Sequence, residues 1–86
     1  MFLKKKVVIL CQNHNIMLVN KIGNIIKNRR KELKITQPDL ADLAEVSVNT
    51  LYRIERGQSN PSLAVVEKLA DILGLEINLE VKNLNK

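Results

Sequence analysis

Residues 36 to 57, TQPDLADLAEVSVNTLYRIERG, constrain this chain more than any other stretch. Leu40, Leu43 and Ala44 recur at i, i+3 and i+4, and Leu51 and Ile54 at i and i+3, so two short amphipathic helices follow one another. Thr36 serves as the N-cap of the first, with Pro38 in its first turn, where a missing N–H costs nothing. Ser47 caps the second, and Gly57 ends it. Only a tight turn separates the two patterns. Val46 plugs that corner, and Ala41 is small enough to let the two backbones approach. Two helices held at a steep angle in this way present the second as a projecting ridge.

The flanks extend the pattern. Ile22, Ile25, Ile26, Arg29 and Leu33 form the inward stripe of a helix from about Lys21 to Lys34. Asn60-Pro61-Ser62 opens a further helix, with Leu63, Val66, Leu69, Ala70 and Leu73 facing in and Gly74 ending it. Then the period changes. Leu75, Ile77, Leu79 and Val81 alternate with Glu76, Asn78, Glu80 and Lys82, the signature of a half-buried strand. A lone strand is not stable. It needs either the β-branched segment Val7-Val8-Ile9-Leu10 or the same strand of a second subunit. The antiparallel pairing of two copies is the expectation, with pairing inside one chain as its rival. Three segments result: an extension over 1–20, a helical domain over 21–74, and a strand and tail over 75–86 that serve as the dimerisation element. For residues 1–20 two readings are open. Translation starts at Met17 and residues 1–16 are upstream sequence, or Val7–Leu10 forms an added strand.

Residues 36 to 57 resemble the helix-turn-helix of the phage-repressor-like (Cro/repressor, XRE-type) DNA-binding family. The likeness continues upstream through Ile22–Lys34 and downstream through Gly57–Leu63 and Val66–Leu75, well over half the chain. A TQxxLA motif alone is weak; followed at the right spacing by the second helix, the ERGxSNP loop and the closing helix, it is specific. The resemblance implies a mainly α fold: a lambda-repressor-like bundle of four to five helices, here with a C-terminal β-strand. Two positions depart from the family. Glu45 stands where a glycine is usual, so a left-handed backbone there would cost roughly 1 kcal/mol. Leu43 stands where a polar residue is more common, and could meet residues 1–20 or a protein partner.

A projecting helix of this width fits the major groove of double-stranded DNA. Helical spacing puts Val48, Asn49 and Arg53 on its outer face, with Thr50 and Tyr52 flanking. Arginine offers a donor fork for guanine N7 and O6, asparagine does the same for adenine, and valine can touch a thymine methyl. Val48, Asn49, Thr50 and Arg53 are therefore the expected base-reading set. Tyr52 is assigned less firmly, since it also suits the seam with the next helix. The resemblance implies that Gln37, at a helix N-terminus, binds a phosphate. Lys27, Arg29, Arg56, Ser59 and Asn60 are the further phosphate candidates, which position without reading sequence. It also implies that Arg30 and Glu55 form a semi-buried ion pair between the first and third helices, rather than a DNA contact for Arg30.

Charge distribution agrees with a polyanionic partner. The formal net charge is +5, and residues 21–34 hold Lys21, Lys27, Arg29, Arg30, Lys31 and Lys34 against Glu32 alone. A solvated helix face explains such a run equally well by itself; beside a helix-turn-helix, phosphate contact gains weight. The single cysteine, Cys11, precludes an intramolecular disulfide, and Cys and His are too scarce for a zinc set. No cofactor is implied. His14 lies outside the helical domain, and no Ser-His-acid set, paired catalytic carboxylates or phosphate-cradling glycine loop can be assembled, so the chain does not read as an enzyme. The apolar run Val7–Cys11 is far shorter than the ~20 residues a membrane span needs, and no cleavage site follows it. A cytoplasmic setting is the expectation.

Three functions compete. The first is a sequence-specific DNA-binding transcriptional regulator, a dimeric repressor on a two-fold operator. The second is an antitoxin that neutralises a cognate kinase-like toxin and autoregulates its operon, suggested by a local likeness of the C-terminal strand to HipB-like antitoxins, whose strands pair across the dimer. The third is a protein-interaction module without DNA, against which exposed Asn49 and Arg53 argue.

Overall fold

The computed structural model of the protein describes residues 5–10 and 15–80, with side chains from Leu18 to Asn78. In chain order the elements are β1 (Lys5–Leu10), α1 (Asn15–Glu32), α2 (Gln37–Ala44), α3 (Val48–Glu55), α4 (Leu63–Leu73) and β2 (Leu75–Glu80).

α1 begins at Asn15 rather than near Lys21. No proline or glycine interrupts residues 15–22, and Leu18, half-buried, extends the inward stripe by one turn ahead of Ile22. The division between positions 20 and 21 thus falls inside one helix, as does Met17. The sequence signals for the other starts match what forms. Thr36, Ser47 and Ser62 have extended backbones, and their side chains accept the N–H of Asp39, Thr50 and Val65 respectively.

The helix ends share one device. After α1, Lys34 donates to the Lys31 carbonyl and Ile35 to that of Arg30; after α2, Glu45 donates to Asp42 and Val46 to Ala41; after α3, Gly57 donates to Ile54 and Gln58 to Arg53. These are Schellman closures, which need a left-handed residue just past the helix. Gly57 and Gly74 take that conformation freely, but Lys34 and Glu45 adopt it at φ 59° with a Cβ attached. Glu45 therefore carries the strain its position implied, and Lys34 carries the same strain.

The core is aliphatic. Leu40, Leu51, Ile54, Leu69 and Leu73 are fully buried, joined by Ile26, Ala41, Ala44 and Leu75; each buried leucine contributes about 1.5–3 kcal/mol. Leu63, assigned inward, is not there, and Leu43 leaves the apolar spacing of its helix for the surface. Leu43 is 60% exposed and Leu63 72% exposed. Close approach through Ala41 turns α2 so that Leu40, Ala41 and Ala44 face in, which carries Leu43 outward; Leu63 opens α4 one turn short of the core. Gly23 sets the spacing of α1 and α3, because a Cβ there would meet the carbonyls of Ile54 and Glu55.

Gly74 alone joins α4 to β2. β2 then pairs in parallel with β1, in register from Lys5 opposite Leu75 to Leu10 opposite Glu80. All four helices form the crossover between them. This corrects the expectation that residues 75–82 pair with a second copy of themselves: β2 finds its ladder partner in its own chain. Leu75 is buried and Ile77 packs against the core. Val81, and the side chain of Leu79, lie outside the described residues.

Candidate nucleic-acid interface

α3 is held from behind. Leu51, Ile54 and Glu55 are buried, and Ser47 fixes its start, accepting the Thr50 N–H at 3.0 Å and donating its own hydroxyl to Thr50 Oγ1 at 2.8 Å. Thr50 is thereby half-buried within the cap network, at the margin of the outer face of α3 rather than on it. The outer face carries Val48, Asn49, Tyr52, Arg53 and Arg56, all exposed. Arg53 has one weak tie, from Nη2 to the Gln58 carbonyl at 3.5 Å, which leaves its donor fork available.

Tyr52 belongs to this face and not to the seam with α4. It is 43% exposed, and the Arg56 guanidinium lies 5.2 Å from its ring centroid, a cation–π contact. Its spacing, four residues after Val48 and three after Asn49, already placed it on this stripe.

One ionic cluster sets the pose of α3. Arg30 Nε donates to Glu55 Oε2 at 2.7 Å, and Arg30 Nη2 to Oε1 at 3.1 Å. Gln37 Nε2 donates to the same Oε1 at 2.9 Å, and Arg30 Nη1 to the Ile35 carbonyl at 2.8 Å. Glu55 is 3% exposed and Arg30 9%, so both charges are compensated by a bidentate pair. The cluster joins α1, the N-terminus of α2 and the end of α3. Gln37 is oriented by Glu55 and retains one amide hydrogen.

The remaining rim candidates divide. Lys27 lies partly exposed on α1, Arg56 is exposed at the end of α3, and Asn60 is exposed in the α3–α4 loop beside half-buried Ser59. Arg29 is engaged within the protein instead. Its side chain is only 11% exposed; Nε donates to the Leu73 carbonyl at 2.9 Å and Nη1 pairs with Glu32 at 3.2 Å. The C-terminal carbonyls of α4 lack intrahelical partners and bear partial negative charge, which favours a guanidinium at this end. That contact spans 44 positions, which local spacing cannot reveal.

Among the described residues no group of His, Cys, Asp and Glu could hold a metal ion, and no helix is long and apolar enough to cross a membrane.

Residues 26–79 match the helix-turn-helix family HTH_3. The chain belongs to that family. The HTH_3 region runs from the middle of α1 into β2 and leaves β1 outside. The immunity repressor protein of Bacillus phage phi105 is 44% identical over 57 residues, 66% of this chain and 40% of that protein. An HTH-type transcriptional regulator of Methanothermobacter thermautotrophicus is 38% identical over 52 residues, 60% of this chain and 75% of that protein. Among solved structures, the restriction-modification controller protein C.AhdI of Aeromonas hydrophila superposes with a TM-score of 0.66 at 32% identity, covering 70% of this chain and 91% of that one. An HTH_3 family transcriptional regulator of Vibrio cholerae gives 0.69 at 35% identity, covering 73% and 35%. This chain thus spans less than half the length of the phage repressor it matches.

Proposed function

We propose that this chain is a sequence-specific DNA-binding transcriptional regulator, a repressor that acts as a dimer on a two-fold operator. The observation that carries the reading is the outer face of α3: Val48, Asn49, Tyr52 and Arg53 stand exposed on a helix whose back is locked by Leu51, Ile54 and the Arg30–Glu55 pair. Laid in the major groove, Arg53 donates its fork to guanine N7 and O6, Asn49 reads an adenine, and Val48 meets a thymine methyl. Arg56, Lys27 and Asn60 reach phosphates. The remaining amide hydrogen of Gln37 and the N-terminus of α2 take another. A two-fold operator needs two such helices about one DNA turn, roughly 34 Å, apart. The name of the phage phi105 relative favours repression. The reading involves no chemical reaction, and its setting is the cytoplasm, where the operator is.

The antitoxin alternative is not favoured. It leaned on a C-terminal strand that pairs across a dimer, and β2 pairs with β1 of its own chain.

Binding-site selection from random duplexes, followed by gel-shift titration of the winner, tests the proposal. An enriched palindrome whose affinity drops in Arg53→Ala and Asn49→Ala supports it. Selection that enriches nothing, with all duplexes bound equally by both variants, rejects it.

A further inference from the structure

β1 stands apart from the site just described. It precedes the HTH_3 region, residues 26–79, so it is an addition to the shared fold. It is also an edge. Among the described residues the sheet has two strands, and β1 hydrogen-bonds to β2 along one side only. β2 packs on α4, whereas β2 is the only substantial neighbour of β1 among the described elements. A two-stranded sheet is marginal by itself, and its open edge is a template for another strand unless charge or proline blunts it. β1 reads KKVVIL. Both lysines stand at its start, and neither charge nor proline protects Val7, Val8, Ile9 or Leu10.

We infer that the free edge of β1 is the seam between two copies of this chain, which pair antiparallel into a four-stranded sheet of order β2-β1-β1-β2. The inference rests on the dimer reading above. Charge and the strand ends together favour β1 over β2. A two-fold axis normal to the sheet must centre on a residue, because facing residues share one side of the sheet. Centred on Val7 or Val8, no lysine of β1 falls opposite a lysine of the second copy. For β2, centring on Asn78 sets Glu76 against Glu80, a destabilising like-charge pair, and centring on Ile77 runs Glu80 against Gly74 at the end of α4. The seam also leaves the reading face clear, since α3 packs on α1 and α2 and has no substantial contact with either strand.

Disulfide trapping in the full-length chain reads the seam. In a Cys11→Ser background, Val7→Cys, Val8→Cys, Ile77→Cys and Asn78→Cys are made singly and oxidised. Residues facing across the axis have Cα atoms about 4.5–5.5 Å apart, within disulfide reach. The expected result is a sedimenting dimer that cross-links fast at one of Val7→Cys and Val8→Cys and not at the two β2 positions. Val8→Lys should keep the helical circular-dichroism signal and raise the dimer dissociation constant roughly tenfold or more. A dimer that cross-links through β2, or not at β1, overturns the seam and spares the dimer. A chain that is monomeric both free and on DNA overturns the dimer reading and the seam with it. A complex in which β1 traps only a different protein also overturns the inference.

Discussion

Arg29 and Leu73 are tied side chain to backbone: Arg29 Nε caps the carbonyl of the last residue of α4 at 2.9 Å. This bond closes α1 onto the end of the helix that leads into β2. A hydrogen bond from a charged donor is worth about 1.5–3 kcal/mol. Arg29→Ala should therefore lower unfolding free energy by roughly that amount in a urea titration. Its DNA salt slope should stay that of the parent, because the guanidinium is nearly buried and engaged by Leu73 and Glu32. A slope shallower by about one unit, with stability intact, would return Arg29 to the DNA rim.

Glu55 is the centre of the ionic cluster, and its removal strands Arg30 in a poorly solvated site. Glu55→Ala and Arg30→Ala should each destabilise by about 3–5 kcal/mol, while replacing both by apolar residues of similar volume should cost much less. A double-mutant cycle measures the difference. Additive losses would mean that the two charges are not coupled.

Gly23 lets α1 rest on the end of α3. Alanine at this helical site would gain about 1 kcal/mol in propensity, yet its Cβ would meet the Ile54 and Glu55 backbone. Backbone cannot yield as a flexible side chain can. Gly23→Ala is expected to be destabilising overall by about 1–3 kcal/mol, with weaker operator binding as α3 is displaced. A more stable variant by thermal denaturation contradicts the packing described.

Lys34 and Glu45 are left-handed residues at helix ends, each strained by its Cβ. Lys34→Gly and Glu45→Gly should each raise stability by about 0.5–1 kcal/mol. Glu45 gives up a 3.5 Å pair with Lys68, but such exposed pairs contribute little. A lower denaturation midpoint for both glycine variants would show that the strain is absent.

Arg53→Ala should cost about 1–3 kcal/mol against the selected operator and relax preference at one base pair. Arg56→Ala should instead weaken all duplexes alike and reduce the salt slope by about one unit. Tyr52→Phe keeps the ring beside Arg56 and removes the hydroxyl. Unchanged discrimination in that variant assigns Tyr52 to positioning Arg56 rather than to reading a base. Gel-shift titrations at two salt concentrations separate these outcomes.

Local sequence determined the helix-turn-helix. Thr36 and Ser47 are caps whose reach is three residues, Leu51 and Ile54 share a face because a turn takes 3.6 residues, and Gly57 is a stop; none of this needs distant parts of the chain. The outer stripe of α3 follows from the same spacing, and the Arg30–Glu55 pairing came by family resemblance. Tertiary structure alone decided the rest. Arg29 looks like one more cation of a basic helix until α4 brings the Leu73 carbonyl to it. Leu43 and Leu63 fit an inward pattern until the approach of α2 through Ala41, and the position of Leu63 at the head of α4, leave them outside. The alternation of residues 75–82 announced a strand but could not choose between its two candidate partners. Strand pairing joins segments far apart in sequence, and only the crossover of four helices brings β1 beside β2.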